Sequence, residues 1–541
     1  MARNSLLGAT IMLTALAVML TWPQALHLGT AVPDHDDPFF SMWRLGWIAH
    51  VLPRDVGHLF DGNIFYPHRG TLAYSDATLL EGLIGAPLLW AHVNLVLVYN
   101  VLLLAGIVSS GVGMFVLVRH LAHDADAALI SAAIFTVAPY RIEHFMHLEL
   151  QWTVWMPLTF WAVHRVFEKA SLRFGISVGL LLSLQLLSCV YYGVFLGMIV
   201  AALIVLLAAS QPRVARAALV PLFVGGLVTA VVAAAYGVPY VESARVVGTR
   251  DPAETARYSA QISSYLAAPD QNWLWGWTAF QFEGNERRLF PGVVAVLLAA
   301  CAVLSKARRR LVCIYLALTL LAIELSLGLN GTVYRWLYAH AWALQGFRAP
   351  ARFGILAVCA LSVLAGFGFE YLKRRIPAPR MLFIVVLVAI GLEGGSAPLR
   401  LMEVPRREPD VYTFLKESPA TNTASVVIEF PIDSGFNPLY MFWSTRHWRP
   451  LVNGYSGYTP RDYDETMRRL RTFPDKASIA RLAELNVRHI LVHEHYYTHR
   501  ERTALLLAIA RSPDLISVGE YRDWIGTTQV FERKPAVLYA P

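Results

Sequence analysis

The sequence predicts a polytopic α-helical membrane protein of about 11 transmembrane helices, followed by a C-terminal α/β extracytoplasmic domain. Three observations carry this. Apolar residues make up 56% of the chain and charged residues only 16%, against about 45–50% and about 25% in soluble domains. The mean hydropathy is +0.46. The apolar residues collect in runs close to the ~20 residues that cross a bilayer, and the basic residues cluster between them.

Candidate spans lie near 6–26, 94–118, 126–140, 152–167, 174–190, 191–210, 216–238, 289–305, 311–328, 353–371 and 380–397. The stretch 174–210 is too long for one helix and breaks between Cys189 and Gly193. The run 79–92 is apolar but short, and reads as an interfacial or re-entrant helix. Counted this way, the basic clusters all fall on one side: Arg3, Arg119 with His120, Arg165 with Lys169 and Arg173, Arg213 with Arg216, Lys306 with Arg308 to Arg310, and Lys373 to Arg375 with Arg380. By the positive-inside rule that side is cytoplasmic. The N-terminus is then cytoplasmic and the C-terminal part outside. Arg3 before an apolar core also fits a signal peptide, but no small-x-small cleavage pattern follows, so the first span reads as an uncleaved anchor.

These spans place four substantial segments outside: 28–93, 240–288, 329–352 and 399–541. Inner loops are short, so function is expected on the outer face. Residues 1–398 form the membrane part. Residues 399–541 read as a separate α/β domain of about 140 residues, with strands at Ser425 to Phe430 and His489 to His493 and helices at Arg461 to Arg471 and Ser478 to Leu485.

Composition removes several classes of function. A net charge of +8 is accounted for by the inner loops, and no nucleic-acid partner is expected. Cys189, Cys301, Cys313 and Cys359 all lie in apolar runs without metal-ligand spacing. There is no Walker A loop, no G-x-S-x-G elbow and no H-E-x-x-H helix. Asn330-Gly331-Thr332 is first of all a turn.

Four outer clusters could carry chemistry. Asp34-His35-Asp36-Asp37-Pro38 sets three carboxylates in four residues. Crowding of like charges raises one pKa and makes a base; the same oxygens suit a divalent cation; a solvated acidic turn is the plain alternative. After it, Trp43 and Trp47 share one face of an interfacial helix. Tyr140 to Glu149 brings Glu143, His144, His147 and Glu149 together, with His144 and His147 one turn apart; metal ligation competes here with ordinary interfacial histidines. Arg348 and Arg352 abut the outer end of a span. Positive charge there runs against the inside rule, and a guanidinium fork matches phosphate, though lipid headgroups or the acidic loop could equally pair with it. Tyr258, Tyr265, Trp273, Trp275 and Trp277 suit an interfacial belt or sugar stacking. His493-Glu494-His495 would put two histidines on one strand face.

Taken together, several stretches resemble a group of bacterial integral membrane proteins with the GT-C glycosyltransferase fold, related to the protein O-mannosyltransferase and aminoarabinose transferase type. They are Asp37-Pro38 with Trp43 and Trp47; Asn63-Ile64-Phe65-Tyr66-Pro67 with Tyr74-Ser75; Tyr140-Arg141 through His147-Leu148 to Gln151-Trp152; Arg348 to Phe353; and Trp448 to Tyr458. The resemblance implies a polyprenyl-phosphate-linked sugar or lipid-linked oligosaccharide as donor, and a glycan, lipid or protein acceptor at the outer face of the cytoplasmic membrane. It puts the catalytic carboxylate at Asp37. Asp36 stands where glycine is common in the group, which leaves the base between Asp36 and Asp37. Glu143 or Glu149 would supply a second acid. Arg348, Arg352 and Arg141 would bind the donor phosphate, and Trp43, Tyr66, Tyr74, Glu143, His144, His147 and Glu149 the substrates. Asp34, Asp36, His144 and His147 are the candidates for a divalent metal ion, should the reaction use one.

Two other classes compete. A lipid or glycan flippase would place charges at mid-membrane, and Glu324 and Glu393 lie only near span ends. A non-catalytic assembly protein would keep the fold alone. In an enzyme, Asp37, the His144/His147 turn and Arg348/Arg352 should line one outer cavity.

Overall fold

The computed structural model describes residues 2–281, 285–419, 425–432 and 435–534; side chains are described from residue 6, and the side chain of Arg3 lies outside them. Every candidate span coincides with a helix: Ala2–Leu20, Leu95–Ala122, Ala125–Thr136, Trp155–Lys169, Leu172–Ser188, Val190–Ser210, Pro212–Val247, Val293–Val303, Arg309–Ser326, Gly354–Lys373 and Pro379–Gly394. Among the described residues, five helical stretches are long and apolar enough to cross a membrane: Leu95–Ala122, Ala125–Glu143, Val190–Ser210, Pro212–Val247 and Pro350–Lys373. The remaining helices of the set are shorter or carry more charge, so the expected count of about 11 exceeds the helices that meet this criterion. The short run Leu79–Trp90 is helical too, and Cys189 breaks the 174–210 stretch with extended backbone between two helices.

Close packing in this apolar setting depends on small residues. A Cβ on Gly175 would stand 2.0 Å from the Pro221 carbonyl oxygen, and one on Gly179 2.3 Å from that of Gly225. The helices Leu172–Ser188 and Pro212–Val247 therefore touch backbone to backbone. Gly179→Leu is expected to force them apart and to lower the apparent Tm of the purified protein, at a cost of about 1–3 kcal/mol or more. Gly226→Leu serves as the control, since nothing lies within 4 Å of a Cβ there. Equal melting of the two variants would contradict this packing.

Four of the basic clusters, at His120, Arg165, Arg308 and Lys373, meet at one end of the bundle. Arg308 donates to the carbonyls of Leu121 and Ala122, Lys373 pairs with Asp124 and Asp126, and His120 with Glu168. The acidic loop after the first helix packs at the opposite end. There Ala31–Pro33 pairs antiparallel with Leu401–Glu403.

The C-terminal part is built on a four-stranded sheet in the order Val426–Phe430, Val487–His493, Thr527–Arg533, Leu515–Arg522. The first pair is parallel and the others antiparallel. Val426, Val427, Ile428, Ile490, Leu491 and Val530 fill its core. Helices Asn437–Ser444, Tyr463–Leu470 and Lys476–Glu484 fill the parallel crossover. The sheet is not a detached unit. Val427 and Val452 bond the 450–452 stretch to the first strand, while Phe65, Tyr66 and Leu451 bond the 451–453 stretch to the loop at 63–66. This stretch carries Tyr455, Ser456 and Tyr458 over the membrane part.

His493 and His495 do not share a strand face. The strand ends at His493 and a 3-10 turn, Glu494–Tyr496, follows. The His493 ring is spent inside the sheet, with Nε2 2.7 Å from the fully buried Glu429 carboxylate and Nδ1 3.0 Å from Thr528 Oγ1.

Candidate active site

The helix Asp37–Val51 begins at Asp37, with Pro38 fixing its first turn. Proline costs nothing there, because the N–H it lacks would have had no partner. The helix N-terminus also favours a carboxylate. Asp37, Phe40 and Arg44 follow the i, i+3, i+7 spacing of one helix face, and all three line a cavity of about 280 Å³. His147 and Glu149 enter it from the turn and short helix after Pro139–Glu143, and Tyr74 and Asp76 from the stretch between the helices Asp37–Val51 and Leu79–Trp90. Arg250, Arg348 and Arg352 close another wall, and Tyr455, Ser456 and Tyr458 form the cover.

Both oxygens of Asp37 are engaged. Tyr455 donates its hydroxyl to Oδ1 at 3.0 Å, and His147 Nε2 lies 3.0 Å from Oδ2. His35 Nδ1 accepts the Asp37 backbone N–H at 3.1 Å and lies 3.2 Å from Oδ2; protonated, it would donate to that oxygen instead. Burial pushes the Asp37 pKa up, but His147 and His35, through charge and hydrogen bonds, outweigh it and hold the carboxyl well below its ordinary value. Asp37 is thus an ionised carboxylate, 13% exposed, at the rim of a charged cavity.

The rest of the wall is arranged in charge pairs. Arg44 donates to Glu149 at 3.0 Å and to Ser41 at 2.8 Å. Arg352 grips both oxygens of Glu286 at 3.1 and 2.6 Å. Among the described residues no cation is bonded to the Asp76 carboxylate, although the Arg352 and Arg44 charges act on it. It accepts the Val190 N–H at 2.6 Å, which caps the helix that restarts after Cys189. Burial, with the nearby Glu149 charge, raises its pKa. The unfolded chain therefore releases this proton first, and stability falls as pH rises through and just above the ordinary aspartate range. Asp76→Asn is expected to remove that fall, read as a flatter apparent Tm against pH. An unchanged profile would contradict it.

Several expected site residues lie elsewhere. Asp36 is exposed and outside the cavity lining, and Asp34 lines a second cavity of about 260 Å³ with His35, Glu143, Asp270 and Arg288. Glu143 is bonded there by Arg288. Trp43 is fully buried, stacked between Phe40 and Trp47, with its N–H on Asn63; it is packing core. Tyr66 joins the 451–453 stretch through its backbone and stands outside the lining. His144 is buried behind the site, 3.9 Å from Glu286. Arg141 is buried and does not reach the cavity: its guanidinium is satisfied by the Phe135 carbonyl and Thr153 Oγ1. That internal bonding, rather than phosphate, explains a cation at this end.

The metal candidates disperse in the same way. Asp34 faces the second cavity, Asp36 is exposed, His144 is enclosed in protein and only His147 meets Asp37. Among the described residues, no group of three or more His, Cys, Asp or Glu side chains is placed to hold a metal ion. These residues do not fit the expected site.

Arg44, Asp76 and Arg250 had no sequence assignment, and Tyr455 and Ser456 stood out only as part of the 448–458 stretch. Arg44 was within reach, since seven residues separate it from Asp37 along one helix. Arg250 comes from a distant segment and carries no local signal.

No family model matches the chain, and no curated protein matches it in sequence. Among solved structures, it is similar to the apo crystal structure of the Archaeoglobus fulgidus oligosaccharyltransferase. The TM-score is 0.53 and the identity 12%, and the match covers 99% of this chain and 75% of that chain. At that identity the likeness is one of fold. The chain thus shares the overall fold of that structure.

Proposed function

We propose that the protein is a membrane glycosyltransferase that moves a sugar from a polyprenyl-phosphate-linked donor to an acceptor at the outer face of the cytoplasmic membrane, with its N-terminus cytoplasmic and residues 399–541 outside. The observation that carries this is the setting of Asp37, an ionised carboxylate in a cavity walled by arginines that shares a wall with an apolar cavity. That second space, of about 380 Å³, is lined by Leu186, Val194, Val241, Val247 and Trp342, and it shares Val190, Tyr240, Phe347 and Tyr458 with the charged one. A charged pocket beside an apolar one suits an amphipathic ligand with a phosphate at the junction. The oligosaccharyltransferase fold supports the same reading.

The reaction is a single displacement with inversion. The acceptor hydroxyl attacks the anomeric carbon as the bond from that carbon to the phosphate oxygen breaks, and the electron pair leaves with the polyprenyl phosphate. The hydroxyl proton passes to the Asp37–His147 pair. A carboxylate of low pKa is a weak base, which suffices when the proton leaves late, after an oxocarbenium-like carbon has made the hydroxyl acidic. The fixed negative charge of Asp37 also stabilises that cation, and the arginines stabilise the departing phosphate. The cavity lined by Asp34, Glu143 and Arg288, which meets Asp37 through His35, is the acceptor's approach.

The test uses purified protein in lipid nanodiscs, a panel of labelled polyprenyl-phosphate sugars and a panel of acceptor glycans, lipids and peptides. Labelled product with an inverted anomeric centre is expected. Retention of configuration, or movement of donor across the bilayer without transfer, would overturn the proposal.

A further inference from the structure

One oxygen of Asp37 has two histidine neighbours. His147 Nε2 lies 3.0 Å from Oδ2 and His35 Nδ1 lies 3.2 Å from it, and the two ring centres are 6.3 Å apart. The rings belong to different cavities. His147 lines the charged cavity with Asp37, and His35 lines the cavity of about 260 Å³ with Asp34, Glu143 and Asp270. No described residue lines both. Asp37 and His35 are therefore a polar link from one to the other.

The two imidazoles are not equivalent. His147 Nδ1 is buried and has no partner, so a proton that reaches this ring finds no onward acceptor among the described residues. The His35 side chain is 38% exposed, against 21% for His147. Its Nδ1 accepts the Asp37 N–H at 3.1 Å and stands at nearly the same distance from Oδ2. Gaining a proton switches that nitrogen from the first partner to the second with little movement of the ring.

The electrostatics run the same way. Burial raises the Asp37 pKa, but His147 and His35 outweigh it and hold the carboxyl well below its ordinary value. A proton delivered to Oδ2 is therefore held only briefly. The bond to Asp37 raises the His35 pKa from an ordinary value of about 6.5; burial opposes this, and the Asp37, Asp36 and Asp34 charges add to it. Glu143 and Asp270, in the same cavity, favour an imidazolium there, and Arg288 and Arg400 oppose it. A histidine in this range takes up and releases protons near neutral pH.

We infer that His35 is the proton exit of the transfer site: it takes from Asp37 the proton that the acceptor hydroxyl loses, and gives it to water in the second cavity. This rests on the glycosyl-transfer reading above. The acceptor O–H bond breaks and its proton joins Asp37 Oδ2. That new O–H bond breaks in turn as the His35 Nδ1–H bond forms, which restores the Asp37 carboxylate and leaves an imidazolium. The imidazolium yields a proton to water and is neutral again for the next turnover.

The test measures transfer by wild type and His35→Ala in nanodiscs, with a donor that the wild type uses, at fixed pH and rising imidazole concentration. His35→Ala is expected to lower kcat by about 10- to 10²-fold, at or below the lower end for a positioned acid–base group, with KM for the donor unchanged. Imidazole should restore kcat in the variant and leave the wild type unmoved. His35→Asn keeps an oxygen for the Asp37 N–H but carries no proton, and should also be slow, so the claim does not depend on His35→Ala folding. Full kcat in His35→Asn would overturn the inference while transfer itself stands. So would a loss in His35→Ala that no imidazole concentration restores. No transfer by wild type from any donor would overturn the functional reading and this inference with it.

Discussion

Asp37→Asn is expected to lower transfer by about 10²–10⁴-fold, the range for loss of a positioned acid–base group, with the fold intact. The amide keeps an oxygen for the Tyr455 hydroxyl. It loses the negative charge that faces His147 and the reacting carbon, and its N–H group opposes the imidazole Nε2, which lies 3.0 Å from Oδ2 in the wild type. Structural cost is small because the side chain sits at a helix N-terminus, where a carboxylate is worth about 0.3–1 kcal/mol. Turnover in nanodiscs beside apparent Tm separates the two effects. Tyr455→Phe removes one of three contacts to the carboxylate and leaves its charge. Its loss should be much smaller, about tenfold. Equal losses in the two variants would mean that the hydroxyl, rather than the carboxylate, carries the chemistry.

Glu149→Ala is expected to be the most destabilising single change at the site, by about 3–5 kcal/mol. Arg44 is 1% exposed, and its other partners are the Ser41 hydroxyl and the Asp76 carbonyl. Its Nε already has no partner. Without Glu149 the guanidinium loses its hydrogen-bonded carboxylate and keeps only the more distant charges of Asp76 and Asp37, and solvating it means opening the helix Asp37–Val51. Truncating both partners should cost less than truncating one, because the uncompensated charge goes with the arginine. The double variant Arg44→Met, Glu149→Leu should therefore melt above Glu149→Ala. Melting at or below the single variant would show that the pair stabilises by its own attraction, not by mutual neutralisation.

The helical frame was legible because lipid-facing helices need long apolar runs, and each expected run fell on a helix. Length was the weaker inference. The run near 152–167 becomes Trp155–Lys169, and at 1.5 Å per residue such a helix is shorter than a bilayer core. In the C-terminal part, Val426–Phe430 and Val487–His493 were visible as buried Val- and Ile-rich runs. The hairpin of Leu515–Arg522 and Thr527–Arg533 was not. Its strands lie toward the sheet edge, and their polar outward residues mask the alternation.

The site was legible in part for a related reason. Asp37, His147, Glu149, Tyr74, Arg348 and Arg352 stood out locally, and the fold brings all six to one cavity. What the sequence does not express is how they pair. Tyr455 reaches Asp37 across 418 positions of chain, and Glu286 neutralises Arg352 across 66. Trp43 and Arg141 stood out through the motifs that carry the resemblance. Burial and internal hydrogen bonds account for both.

The central claim is that the Asp37 cavity transfers sugar from a lipid-linked phosphate. The most direct measurement is donor binding and turnover by wild type and Asp37→Asn side by side in nanodiscs, with a donor that the wild type uses. The account predicts similar donor affinity in the two proteins and transfer in the wild type alone. Transfer by Asp37→Asn at the wild-type rate would contradict it.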